Sequence, residues 1–155
     1  MLRITKETDY GILLLALMAA QPPGAIHTAR AVADRAGLPL PMVSKILRSL
    51  ARASLVTSHR GVAGGYSLDR PATQTSVAEV IRAIEGPISM VQCGVEPGLC
   101  DQEPVCTTRS NWARISREIE RALERIPVSE MQGAGGPQSP LRVLSSTRPS
   151  AGRAG

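Results

Sequence analysis

The stretch TARAVADRAGLPLPMVSKILRSLARA, residues 28–53, decides the fold. Thr28 is placed to cap a short helix over residues 29–36, in which Ala29, Val32, Ala33 and Ala36 make an i, i+3, i+4, i+7 stripe. Gly37 then supplies the left-handed backbone that commonly ends a helix. Pro41 suits the first turn of a second helix running through Val43, Ile46, Leu47 and Leu50 to about residue 53. Two short amphipathic helices joined by a glycine-containing turn predict a helix-turn-helix. The next stretch, SLVTSHRGVAGGYSL (residues 54–68), predicts two short strands around a glycine-rich turn. A hairpin there is a wing.

Outward from this unit, residues 6–20 carry Ile12, Leu13, Leu15, Leu17 and Ala19 at nearly continuous helical spacing, with Thr5 as the expected cap. Ser76-Val77-Ala78-Glu79 is a capping box opening a helix to Gly86. Residues 87–106 show no period and contain Gly94, Pro97, Gly98 and Pro104, which predicts a loop. A last helix, capped by Thr107 or Thr108, places Trp112, Ile115, Ile119, Ala122 and Ile126 at alternating steps of three and four, the seam of a helix pair or a stripe for the chain's own core. The fold class expected is mainly α. Its divisions are a winged helix-turn-helix over residues 1–86, a cysteine loop over 87–107, a dimerisation helix over 108–132 and a disordered tail over 133–155. The tail's five Gly, three Pro and four Ser without an acidic residue carry that last expectation.

With 155 residues, the chain fits one core with appendages. Its net charge of +5 is divided. Residues 1–70 hold nine basic and four acidic groups, residues 71–132 six and nine, and residues 133–155 three and none. A basic first half beside an acidic second half calls for an anionic partner. Two Tyr, one Trp and no Phe argue against readers that stack single-stranded bases on aromatic platforms, which leaves double-stranded DNA. A recognition helix entering the major groove would present Pro41, Ser44, Lys45 and Arg48, with Ser44 and Lys45 as base readers. Arg60, assisted by His59, would reach the minor groove or phosphates from the wing.

Cys93, Cys100 and Cys106 lie within fourteen residues, an odd number that leaves any disulfide framework incomplete. Spacings longer than C-x2-C disfavour a zinc knuckle, and three thiolates around one loop suit an iron–sulfur cluster with one position left for another group. Structural zinc, a thiol–disulfide switch and metal-free cysteines remain alternatives. The apolar run over residues 11–20 abuts Glu7 and Asp9 and is shorter than a membrane span, so a cytoplasmic location with no membrane contact is expected. No small-molecule substrate and no enzymatic activity are expected. A small iron–sulfur electron-transfer or cluster-carrier protein is the competing class, and it has no use for a recognition helix and a basic wing.

The opening Leu2-Arg3-Ile4-Thr5-Lys6-Glu7-Thr8-Asp9-Tyr10, the wing Arg60-Gly61-Val62-Ala63-Gly64-Gly65-Tyr66, and the three-cysteine loop followed by Trp112 resemble the Rrf2 type of winged-helix regulators over about residues 1–132. The run over residues 98–106 looks most like the subgroup that regulates the Suf iron–sulfur assembly operon. The resemblance implies a homodimer on a palindromic operator, a 2Fe-2S or 4Fe-4S cluster on Cys93, Cys100 and Cys106, and repression that depends on cluster state. IscR-like members carry a histidine ligand three residues after the last cysteine, where this chain has Arg109. NsrR-like members use an aspartate from the partner's first helix, a position matched by Asp9. An IscR glutamate that tunes site choice is replaced by Ser44, so operator preference does not carry over. The resemblance and the seam together place Trp112, Ile115, Ile119 and Ile126 at the dimer interface.

Overall fold

The computed structural model describes residues 4–131 except Pro97 and Leu99. The predicted tail over residues 133–155 and the quoted Leu2 and Arg3 lie outside the described residues. Among the described residues five α-helices and one antiparallel hairpin follow in the order α1 (Lys6–Ala19), α2 (Ala29–Ala36), α3 (Leu40–Arg52), β1 (Val56–His59), β2 (Gly65–Leu68), α4 (Val77–Glu85) and α5 (Arg109–Glu124). The hairpin pairs Val56 with Leu68 and His59 with Gly65. β1 starts two residues later than the run of residues 54–59 suggests, because Ser54 adopts φ 55° in the turn out of α3.

The core lies where α1, α3 and α4 meet. Leu14, Leu15, Val43, Ile46, Leu47, Leu50, Val80 and Ile81 are essentially inaccessible. Each large side chain of this set contributes about 1.5–3 kcal/mol relative to exposure. Local signals and packing agree through most of this unit. The Thr28 hydroxyl accepts from the Ala31 N–H at 3.1 Å, and Gly37 closes α2 at φ 65°. Ser76 and Glu79 complete the capping box reciprocally.

Thr5 departs from expectation. It occupies the N-cap position without capping α1; its N–H and hydroxyl instead donate to Glu85 Oε1 at 3.1 and 2.6 Å. The buried Thr8 hydroxyl donates to the same oxygen. Burial alone raises the Glu85 carboxyl, but the hydrogen bonds from Thr5 and Thr8 outweigh it and hold the group below the ordinary carboxylate range. The first turn of α1 is thus fastened to the last turn of α4, next to Gly86 where the cysteine loop begins.

The wing is attached to the body by backbone. His27 and Tyr66 exchange N–H···O bonds of 2.8 Å in both directions. A Cβ on Gly65 would collide with the His27 carbonyl oxygen, and backbone has no rotamer with which to escape. Gly65→Ala is therefore expected to detach or tilt the wing and to lower stability by about 1–3 kcal/mol, the range for overpacking. Thermal unfolding checks this, together with exchange of the Tyr66 amide, which should lose protection while the core helices keep theirs.

Candidate functional site

Several basic groups of the first half, Lys45, Arg48, Arg52 and Arg60, are exposed on α3 and the wing. On α3, Pro41, Lys45 and Arg48 are exposed and Ser44 is half-buried, whereas Val43, Ile46, Leu47 and Leu50 point into the core. That division follows from the helical repeat. Arg60 is exposed at the start of the wing turn, and Val62 stands fully exposed at its tip. Between α3 and the hairpin runs a groove of about 460 Å³ lined by Lys45, Arg48, Ser49, Arg52, Ser58 and Tyr66. Arg52 donates to Ser49 Oγ at 3.1 Å, which holds its guanidinium along the groove.

Sequence reasoning missed Arg52, Ser58, Tyr66 and Val62. Arg52 lies one helical turn after Arg48, a spacing that identifies it as a member of the same face. Ser58 and Tyr66 face each other across the hairpin register, which only strand pairing reveals. His59 is engaged elsewhere: its Nε2 lies 2.8 Å from Ser67 Oγ, so the ring bridges the two strands of the wing. Lys45 has a partner that spacing did not indicate, Glu7 on α1, with Nζ and Oε1 2.7 Å apart.

The described residues between α4 and α5 include two single 3-10 turns, Gln92–Gly94 and Glu103–Val105, in otherwise irregular chain. This loop is held from both sides. The buried Ser116 hydroxyl on α5 accepts from the Met90 N–H at 3.0 Å. Glu103 accepts from the Gly98 N–H at 2.7 Å and pairs with Arg109 at 2.7 Å. Arg109 is thereby a brace of the loop. Cys93, Cys100 and Cys106 are free thiols, each half-buried. The Thr108 side chain and backbone, and then Arg109, pull the Cys106 thiol below its ordinary value. Three soft donors of this kind, one already biased toward thiolate, suit a soft metal or an iron–sulfur cluster. Among the described residues no three His, Cys, Asp or Glu side chains stand together as a ready-made metal site. Asp9 is exposed on the first turn of α1.

The seam expected on the last helix divides in two. α5 ends at Glu124, not near residue 132. Ile126 lies beyond it, where its carbonyl accepts from the Val77 N–H at 2.9 Å, and Val128 N–H donates to Thr75 at 2.8 Å. This return places Val128 in the core. Ile119, Leu123 and Ile126 pack against their own chain's core. Ile119 and Ile126 are thus partly covered by their own chain. Trp112 and Ile115 remain 40% exposed each. Arg82 on α4 ties the two helices at 3.1 Å from Glu124 and also pairs with Glu120.

Comparison with known proteins agrees with this geometry. The profile of the Rrf2 family, described as iron-dependent transcriptional regulators, matches residues 4–133. The chain belongs to the Rrf2 family. The HTH-type transcriptional regulator Rv1287 of Mycobacterium tuberculosis is 29% identical over 163 residues, covering 99% of each chain. Among solved Rrf2-like structures, CymR, the global cysteine regulator of B. subtilis, superposes with a TM-score of 0.63 at 27% identity over 84% of this chain and 96% of CymR. T. potens IscR gives a TM-score of 0.59 at 26% identity over 84% of this chain and 85% of IscR. The Rrf2 relatives are transcriptional regulators with a DNA-binding winged helix, and this chain has the mainly helical winged-helix architecture they share. Among the described residues no helix is long and apolar enough to cross a membrane.

Proposed function

We propose that this Rrf2 protein is a homodimeric, cytoplasmic transcriptional repressor that binds a palindromic operator and whose affinity for it is set by an iron–sulfur cluster on Cys93, Cys100 and Cys106. Its regulated genes are those of Suf-type cluster assembly, and it acts by binding, without catalysis or a small-molecule substrate. The observation that carries this reading is three half-buried thiols on a loop braced between α4 and α5 of a winged helix that exposes Lys45, Arg48 and Arg60. An odd set of three thiols leaves one cluster position for a different donor, and Asp9 of a second subunit is the candidate. When bound, the cluster supplies sensitivity to oxidant, nitric oxide or iron supply. The chain's own residues do the rest. Ser116, Glu103 and Arg109 anchor the loop, and the Thr5–Thr8–Glu85 clasp connects its start to α1.

Anaerobic purification with iron and sulfide analysis tests the cluster, and protection of a promoter upstream of Suf-type genes tests the target. A colourless protein binding the same DNA would favour a thiol-based regulator, a reading supported by the likeness to CymR and by the lowered Cys106 thiol.

On the DNA face, Pro41, Ser44, Lys45 and Arg48 occupy the major groove and Arg60 the adjacent backbone or minor groove, while His59 supports the wing through Ser67. Lys45→Ala is expected to weaken operator binding by about 1–3 kcal/mol if it reads a base edge. Arg60→Ala and Arg52→Ala should each lower the salt slope by about one unit through a lost phosphate contact. Fluorescence anisotropy across a salt series measures both, and unchanged slopes would remove these arginines from the interface.

A further inference from the structure

We propose that Glu7 attenuates DNA binding: it is a carboxylate that competes with DNA for the Lys45 ammonium. The proposal rests on the reading of α3 as the recognition helix. Glu7 is an acid set against a basic face. Its Oε1 lies 2.7 Å from Lys45 Nζ, with the lysine side chain 61% exposed and the glutamate 38% exposed. A pair so open to water is weak and readily exchanged. Its position is nevertheless fixed, because the first turn of α1 is fastened to α4 by the buried Thr8 hydroxyl and by Thr5, both on Glu85.

Two consequences follow from a weak pair on a rigid mount. In free protein the carboxylate cancels the charge of Lys45, so the lysine adds little to general attraction for phosphates. On a duplex that offers an acceptor where the ammonium can reach it, Lys45 exchanges Glu7 for that acceptor. On other duplexes the exchange has less reward, and Lys45 stays largely with Glu7. Every duplex that engages Lys45 gives up the pair with Glu7, so Glu7 lowers affinity most where Lys45 is used most.

The test uses the full chain purified anaerobically, with a random-sequence duplex of about 25 base pairs, long enough for two half-sites one turn apart. Its comparison is the best duplex that the wild-type protein selects from a random pool. Glu7→Gln is expected to tighten binding to the selected duplex by up to about five-fold, a change of the size open to an exposed pair. On the random duplex the salt slope should steepen by up to about 0.9 as one more cation becomes available to phosphates. Affinity for the random duplex should rise by no more than that for the selected one, so the ratio between the two does not fall. In a Lys45→Gln background the Glu7 effect should vanish, which a merely structural role would not produce. If Lys45→Gln weakens the selected duplex while Glu7→Gln leaves the selected duplex unchanged, the competition is overturned and the DNA face stands. A Glu7 effect that persists without Lys45 overturns it equally. If Lys45→Gln changes neither duplex, the reading of α3 fails first and the competition with it.

Discussion

Replacing Cys93, Cys100 or Cys106 singly by Ser is expected to abolish stable cluster occupancy, with iron content and visible absorbance after anaerobic reconstitution falling to a small fraction of wild type. The expectation follows from ligand number: three thiols are all that the loop offers, so each is a quarter or more of the coordination. The loop has little structure of its own to compensate. Two single 3-10 turns and the bonds through Ser116, Glu103 and Arg109 hold its ends, and among the described residues the thiols do not stand together as a ready-made site. On the proposed reading metal binding and loop ordering are one equilibrium, and removing one donor costs both. The fold should survive, since the cysteines are outside the core and thermal unfolding of the apo variants should match apo wild type. Full occupancy and wild-type lifetime in any one of the three would show that this thiol is not a ligand. Asp9→Ala gives a graded version, a shortened lifetime in air with initial occupancy retained. An unchanged decay would exclude Asp9.

The winged helix was legible in the sequence because its determinants are local. Thr28, Gly37, Pro41 and the Ser76–Glu79 box each act within one helical turn, and the structure places every one of them where the spacing indicates. The pattern failed where a side chain answers to a distant partner. Thr5 sits at a cap position, yet Glu85, eighty residues later, takes its hydroxyl. Lys45 reads as a free recognition-helix cation until α1 brings Glu7 beside it. His59 reads as an assistant to Arg60 on DNA until strand pairing sets Ser67 against it. The seam on α5 has the same origin. A step of three and four marks one apolar face, but it cannot tell which part of that face the chain covers itself. Val77 and Thr75 decide that by capturing residues 126–128.

That division of α5 leads to the second large effect. Ile115→Glu is expected to convert a dimer to monomers and to weaken operator binding at least 100-fold, about 2.7 kcal/mol. Ile115 is 40% exposed on a single chain, as is Trp112, and Val105 nearby in sequence is 71% exposed. A helix face with Trp112 and Ile115 open to water is the kind of patch that a subunit contact covers. In a two-fold interface the substituted residue enters twice. Each buried, unpaired carboxylate costs several kcal/mol, so the penalty exceeds what a modest dimer interface supplies. Partial exposure in the monomer keeps the substitution compatible with the fold, whereas Ile119→Glu would strike the intramolecular packing and confuse unfolding with dissociation. Trp112 gives the readout, since it is the chain's one tryptophan. Its emission should shift to the red on dilution of wild type and be red-shifted at all concentrations in Ile115→Glu. Sedimentation supplies the mass, and anisotropy with a palindromic duplex and its single half-site supplies the coupling. Wild type should prefer the palindrome strongly, and the variant should bind both alike. A variant that still sediments as a dimer would move the subunit contact off this face of α5. Monomers that keep full preference for the palindrome would separate dimerisation from operator recognition.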